Sequence, residues 1–345
     1  MAAGASLRKN EDQTNNTGIR MGMTRIAAGI WLILSLHAAA EVPLGTKTTA
    51  HFASVAEGRE VLGKEDDFVA RMSAFDRAAR LKTGRPVSEE EYLAFVRENI
   101  LEWSDTEKQM VERLLLEVAT ALSSFPGRLP EKILLVKTTG AEEGHAAYTR
   151  ANAIVLPARR VRTVPPARLK ADICHEIFHI LSRANPELRE KLYGIIGFAK
   201  CEEIEFPAEL QHRKITNPDA PRNDHYIQVK VEGKKQFAVP ILFSRTDTYN
   251  PAEGGEFFNY LQFKLLLVER TGEPGRMAAI RDASGIRLID VPQASGFIEQ
   301  IGKNTQYIIH PEEILADNFT ALLTAKSDLP SPEIVQTMRT ALARE

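Results

Sequence analysis

Two histidines four residues apart, with a glutamate between them, form the part of this sequence best suited to chemistry: His175-Glu176-Ile177-Phe178-His179. On an α-helix, positions i and i+4 share a face, so both imidazoles can aim at one point. Two nitrogen donors at one point suit Zn²⁺, and a catalytic zinc site adds a third protein ligand and keeps one position open for water. Glu176 lies beside that face, where a carboxylate can take a proton from an activated water and pass it to a leaving amine. The reaction such a group performs is peptide-bond hydrolysis. By chance the pattern arises on the order of once in a hundred sequences of this length and histidine content. Its flanks are those of a helix buried beside a cleft: Ile177, Phe178, Ile180 and Leu181 carry no charge, and no proline interrupts Leu169 to Ala184.

The segment resembles the signature of the zincin metallopeptidases. The metzincin branch extends it to H-E-x-x-H-x-x-G-x-x-H, but Ser182 and Asn185 stand here where that pattern has Gly and His. The gluzincin branch takes its third ligand from a glutamate on a later helix, within a Glu-x-x-x-Asp pattern, and this chain carries Glu313-Ile314-Leu315-Ala316-Asp317. The resemblance implies a zincin-like fold and one Zn²⁺ per chain, held by His175, His179 and Glu313. It also implies Glu176 as general base, and Asp317 as the carboxylate that orients a ligand imidazole. A helix opening at Pro311 puts Glu313 and Asp317 on one face. Glu312 has Ala316 at the matching position, so it is expected to stay outside the site. Glu202, Glu203 and Glu205 read as a solvated turn, although each could supply a ligand.

An oxyanion beside zinc calls for a placed donor. Tyr307 and His310, just before the Glu313 helix, are the candidates; the alternatives are a strand residue and a helix N-cap. In zincins the substrate lies antiparallel to an edge strand just before the motif helix. That leaves residues 145–150 or 152–156 to pair with an extended peptide or protein substrate.

The elements that must position these groups are legible in outline. Pro165-Pro166 opens the motif helix, which runs to about Arg183, and Asn185-Pro186 opens the next. Before them, Ser88 with Glu91 and Ser104 with Glu107 form capping boxes. Each precedes an apolar stripe at helical spacing, the second comprising Val111, Leu114, Leu115, Val118 and Leu122. Residues 133–136 and 146–156 read as strands. Ile227, Val229 and Val231 alternate, Glu232-Gly233-Lys234 turns, and Phe237, Val239, Ile241 and Phe243 alternate back, predicting a hairpin. Further strands are expected at 257–269, 277–281 and 287–291, and final helices from Pro311 and Pro332. The fold class is α+β. A helical N-terminal part (about 55–125) and a small sheet precede the motif helix; a β-rich subdomain (about 225–291) and C-terminal helices follow. Together they make one catalytic domain over 41–345.

Residues 1–20 are polar and read as a disordered extension, with translation expected to begin at Met21 or Met23. Arg25, the apolar run Ile26–Leu36 and Ala38-Ala39-Ala40 make residues 21–40 a signal peptide, cleaved after Ala40. That implies export, to the periplasm or outside the cell, with no membrane span left after cleavage. An exported chain permits a disulfide between its two cysteines, Cys174 and Cys201; two buried thiols are the alternative. A net charge of −2 gives no electrostatic reason to expect nucleic acid as a partner, and Arg159-Arg160-Val161-Arg162, the densest basic cluster, reads as a solvated loop. His212 and His225, around the polar Asn217–Pro221 stretch, suggest a surface loop at a cleft rim. The rival to a peptidase is a zincin scaffold that binds without turnover, or an envelope protein in which the motif is accidental.

Overall fold

The computed structural model describes residues 41–343. The extension and signal peptide read in residues 1–40 lie outside the described residues. Ile133–Val136 and Ala153–Leu156 lack alternation, the pattern of strands covered on both faces, and they form the centre of a six-stranded sheet. Its strands are β1 (Glu41–Pro43), β2 (Thr49–Phe52), β3 (Ile100–Leu101), β4 (Lys132–Thr138), β5 (Tyr148–Arg150) and β6 (Ala153–Pro157). The order across the sheet is β1-β2-β4-β6-β5, with β3 also pairing β4. β2, β4 and β6 run parallel, while β1 and β5 run antiparallel at the two edges. β1 and β2 precede the helical part expected at about 55–125 and were not foreseen, being too short for any alternation to be read.

Four helices lie between β2 and β4: α1 (Val55–Leu62), α2 (Ala74–Arg80), α3 (Glu89–Glu98) and α4 (Asp105–Leu122). The capping boxes are formed, Ser88 with Glu91 and Ser104 with Glu107. Glu107 does more than cap. It accepts from Lys137 Nζ at 2.5 Å and Arg162 Nε at 2.8 Å, fastening α4 to β4 and to α5 (Ala158–Thr163). The basic cluster 159–162 is therefore not a solvated loop. It is a short helix whose Arg160 also pairs with Asp172 at 2.6 Å.

The motif helix, α6 (Pro166–Ala184), opens with proline at its first turn, where the missing N–H has no intrahelical partner to lose. α7 (Pro186–Ile195) follows, then β7 (Phe198–Lys200) and the short α8 (Ala208–Gln211). A second, antiparallel sheet adds β8 (His225–Val231), β9 (Lys234–Ser244), β10 (Leu261–Arg270) and β11 (Met277–Ala279), in the order β11-β10-β9-β8-β7. Glu232 and Gly233 turn the β8–β9 hairpin with φ of +51° and +77°, the two left-handed residues of a turn that matches strand twist. α9 (Phe297–Ile301), α10 (Pro311–Leu323) and α11 (Pro332–Ala343) complete the chain.

The α+β arrangement of the described residues is one compact unit. Ile227, Val229 and Leu265 of the second sheet share a core with α4, α6 and α10, and its other face covers a smaller cluster around Val239, Ile241 and Leu266. Among the described residues no helix is long and apolar enough to cross a membrane.

Of the two alternatives for the cysteines, a disulfide or two buried thiols, the structure has the thiols. Cys174 and Cys201 are both free and buried, Cys174 in the main core and Cys201 in the small cluster under the second sheet. Burial pushes each thiol up to about 12, so neither supplies thiolate at neutral pH. A thiol reagent should therefore count no reactive thiol per native chain and two after unfolding in guanidinium without reductant. Fewer than two after unfolding would reveal a bridge.

Candidate metal centre

α6 packs along α10, with the Phe178 and Phe319 rings 5.5 Å apart. This contact brings the motif face of one helix against the first turn of the other. His175 Nε2 lies 3.0 Å from Glu313 Oε2, and His179 Nε2 lies 3.7 Å from the same oxygen. One ligating atom from each of the three residues lies within 4.8 Å of the others. With zinc–ligand bonds of about 2.0–2.1 Å, tetrahedral neighbours sit about 3.3 Å apart, so this spacing suits such an ion.

The hydrogen bonds behind the rings fix where the lone pairs point. A carboxylate only accepts. His175 Nδ1 therefore donates to Asp317 Oδ1 at 2.9 Å, and His179 Nδ1 donates to Glu312 Oε1 at 3.1 Å. An imidazole that donates from Nδ1 keeps its lone pair on Nε2 when neutral. His175 Nε2 is also within hydrogen-bond distance of Glu313 Oε2, so without a metal that ring carries a second proton and donates to it, and His179 Nε2 is buried without a hydrogen-bond partner. An ion in place of those protons would take both Nε2 lone pairs and the Glu313 oxygen. Two imidazoles and a carboxylate fit zinc by donor type as well as by spacing.

The charges respond to one another in the same sense. Burial pulls His179 down, but Asp219, Glu313 and Glu312 outweigh it and raise the ring to about 9. His175 is likewise raised: burial opposes, and Asp317 and Glu313 prevail. Burial pushes Glu313 up, yet the two imidazoles and Asn217 hold it down at about 2. Glu176 is pushed up to about 8 by burial and by Asp219, against the pull of both histidines. Its Oε2 is buried without a partner, and a carboxylate oxygen of Glu176 lies within 4.8 Å of ligating atoms of His179 and Asp219.

These groups line a cleft of about 300 Å³ that includes His175, Glu176, Glu313, Asp317 and Tyr307. The Tyr307 ring centre is 6.4 Å from that of His175. His310 sits elsewhere: it is the N-cap of α10, its Nδ1 accepting the Glu312 N–H at 3.1 Å. It is buried and lines a separate cavity behind His179, and burial together with His225 lowers its ring to about 4. Of the two strand candidates, β5 lies on the sheet edge and β6 is internal.

Glu312 is the clearest correction. It was expected to stand outside the site, yet besides His179 it accepts from Ser182 Oγ at 2.8 Å and Tyr193 Oη at 2.5 Å. The matching-spacing argument failed because Glu312 reaches its histidine directly from the first turn of α10. Its signal was its adjacency to Glu313: consecutive helix residues point about 100° apart, enough for one to meet the metal position and the other the ring behind it. Asn217 and Asp219 were also unforeseen. Asn217 Nδ2 donates to Glu313 Oε1 at 2.5 Å, and Asp219 Oδ1 accepts from Thr149 N at 2.6 Å on the outer edge of β5. His225 is no surface residue: it is buried between Asp224 and Glu190, at 2.6 Å and 3.0 Å. Glu203 pairs with Arg71 and Glu205 with Arg276, apart from the centre.

Compared with protein-family models, curated proteins and solved structures, the chain matches none of them.

Glu313→Ala should abolish tight zinc binding. Asp317→Ala and Glu312→Ala should each weaken it roughly 10–100-fold, the usual effect of removing the partner that fixes a ligand ring. Competition with a chromogenic chelator measures all three. Wild-type affinity in Glu313→Ala would rule out this ligand set.

Proposed function

We propose that the protein is a zinc-dependent peptidase of zincin-like fold, gluzincin-like in its ligand set, acting after export. One observation carries the reading: three potential ligand atoms from α6 and α10 converge beside a buried glutamate that lines the same cleft. A zinc ion held by His175, His179 and Glu313 would supply Lewis acidity, lowering the pKa of a water and polarising a carbonyl. The remaining work belongs to the chain. Glu176, next to His175 in the same cleft, would receive a proton from the attacking water and deliver it to the leaving nitrogen, the work of a positioned carboxylate. Ordinary zinc ligands without turnover would have no use for a carboxylate in that position. Tyr307 stands in the cleft wall with its ring near His175, where its hydroxyl can donate to oxygen charge developing on the carbonyl. Its exposure leaves the hydroxyl free to meet a ligand. The edge of β5 is closed in this structure, because its three residues are buried and the outward Thr149 N–H donates to Asp219, so the extended-peptide reading rests on the metal cleft and not on that edge. Export rests on the residue 21–40 pattern, and mature protein should begin near Glu41.

Glu176→Gln should keep its zinc and its circular dichroism spectrum while hydrolysis of a peptide library falls by roughly 10²–10⁴-fold. Turnover close to wild type in that variant would remove Glu176 from the mechanism. Full zinc occupancy with no hydrolysis by the wild-type protein would favour the binding scaffold instead.

A further inference from the structure

A second cavity opens from the wall of the metal cleft. Ala146, Ala147, Asp219 and Tyr307 line both. The second cavity measures about 150 Å³, and its remaining wall is largely apolar: Ile215, Leu242, Phe257, Phe258, Leu261 and Ile309. Two carboxylates also border it, but neither offers a free charge. Glu143 is clamped by Arg80 through bonds of 2.8 Å and 2.7 Å, and Asp219 is held by Thr149 through N–H and hydroxyl bonds of 2.6 Å and 2.7 Å. A charged guest would lose its hydration here without gaining a partner.

The mouth of this cavity is unusual for the molecule. Phe258 is 43 % exposed and Tyr307 42 % exposed, and they are two of the three large hydrophobic residues that are exposed among those described. Behind them the wall is firm, because Ile215, Leu242 and Phe257 belong to a packed cluster with Phe75 and Tyr260. Gly144 allows Phe258 to lie close: a Cβ at that position would come within 2.8 Å of its ring. Size selects the guest, since an apolar cavity on the order of 150 Å³ accepts a benzene-sized ring.

We infer that this cavity is a specificity pocket for one large apolar side chain, Phe, Leu or Met, of an extended peptide whose neighbouring bond lies over His175, His179 and Glu313. The inference rests on the peptidase reading for its substrate class. The pocket itself is tested by binding, without turnover. Full-length, zinc-loaded Glu176→Gln protein is titrated with fluorescein-labelled hexapeptides that differ only at one central residue: Phe, Leu, Ser or Glu. The Phe and Leu peptides should bind roughly 10–100-fold tighter than the Ser and Glu peptides, the range expected for burying such a side chain. Phe258→Ser, at an exposed position, should cut the preference severalfold. Ile309→Phe, which fills the cavity, should weaken the Phe peptide while sparing one with Ala at the same place.

Equal affinity for all peptides, no binding by any, or a preference untouched by both variants would overturn the pocket. Cleavage-site mapping with the wild-type protein separates the two ideas. Cleavage with no apolar residue fixed beside the broken bond overturns the pocket and keeps the peptidase. Selective binding by Glu176→Gln without any wild-type cleavage keeps the pocket and overturns the peptidase.

Discussion

Two carboxylates that grip the outer nitrogens of two imidazoles set the geometry on which the centre depends. Left alone, a histidine ring rotates and exchanges tautomers, and the direction of its lone pair is undefined. Asp317 behind His175 and Glu312 behind His179 remove that freedom. Both carboxylates come from α10, as does Glu313, so one helix supplies the third candidate ligand and holds the rings of the other two. The relative placement of α6 and α10 therefore decides everything at the centre. It is fixed by apolar packing, with Ile177, Phe178, Ile314, Leu315 and Phe319 wholly buried between the helices and the core. A hydrophobic contact sets the distances, and the charged groups ride on it.

Burying this much charge is unfavourable unless each charge is answered. Glu312 is answered by a ring, a serine and a tyrosine; Asp317 by a ring and the hydroxyl of Thr305; Glu313 by both rings and Asn217. Glu176 is the exception, with one buried oxygen unpaired and its carboxyl driven upward. An unpaired polar atom together with a raised carboxyl, facing the unpartnered His179 Nε2, marks a candidate reactive group. The same logic runs through the buried Arg80, which answers Asp76 and Glu143 at once. There, however, every charge is matched, and the cluster reads as structure.

What the sequence made legible followed from periodicity and punctuation. The motif helix was bounded within one residue by Pro165-Pro166 and Asn185, and α10 by Pro311. The β8–β9 hairpin was marked by strict alternation around Glu232-Gly233. What escaped lacked a local pattern. β1 and β2 are three and four residues long, and they become strands because β4 offers an edge to β2 and β2 in turn to β1, a long-range fact. Glu312 escaped because an i, i+4 rule compares residues within one helix, whereas its partner sits on another. Asn217 and Asp219 escaped because a polar, proline-rich stretch reads as a surface loop. The loop does run between elements, but the closed α6–α10 corner turns two of its side chains inward. Cys174 and Cys201 pack in different cores, and no local signal tells that.

The division of labour between rigid and irregular parts has a physical reason. Metal ligands must be held to within a fraction of an ångström, and helices locked by core packing achieve that. The walls of the cleft tolerate more variation, and they come from loops: the η-turn around Glu143 and Gly144, the 215–221 stretch, and residues 305–309. Asp219 joins the two regimes. Its carboxylate is bound to the edge strand through Thr149, while its charge raises both His179 and Glu176. A loop residue thus stands within reach of His179, Glu176 and the edge strand at once. Moving it would change the charge felt by both groups together, so the loop is constrained even though nothing in its own sequence marks it.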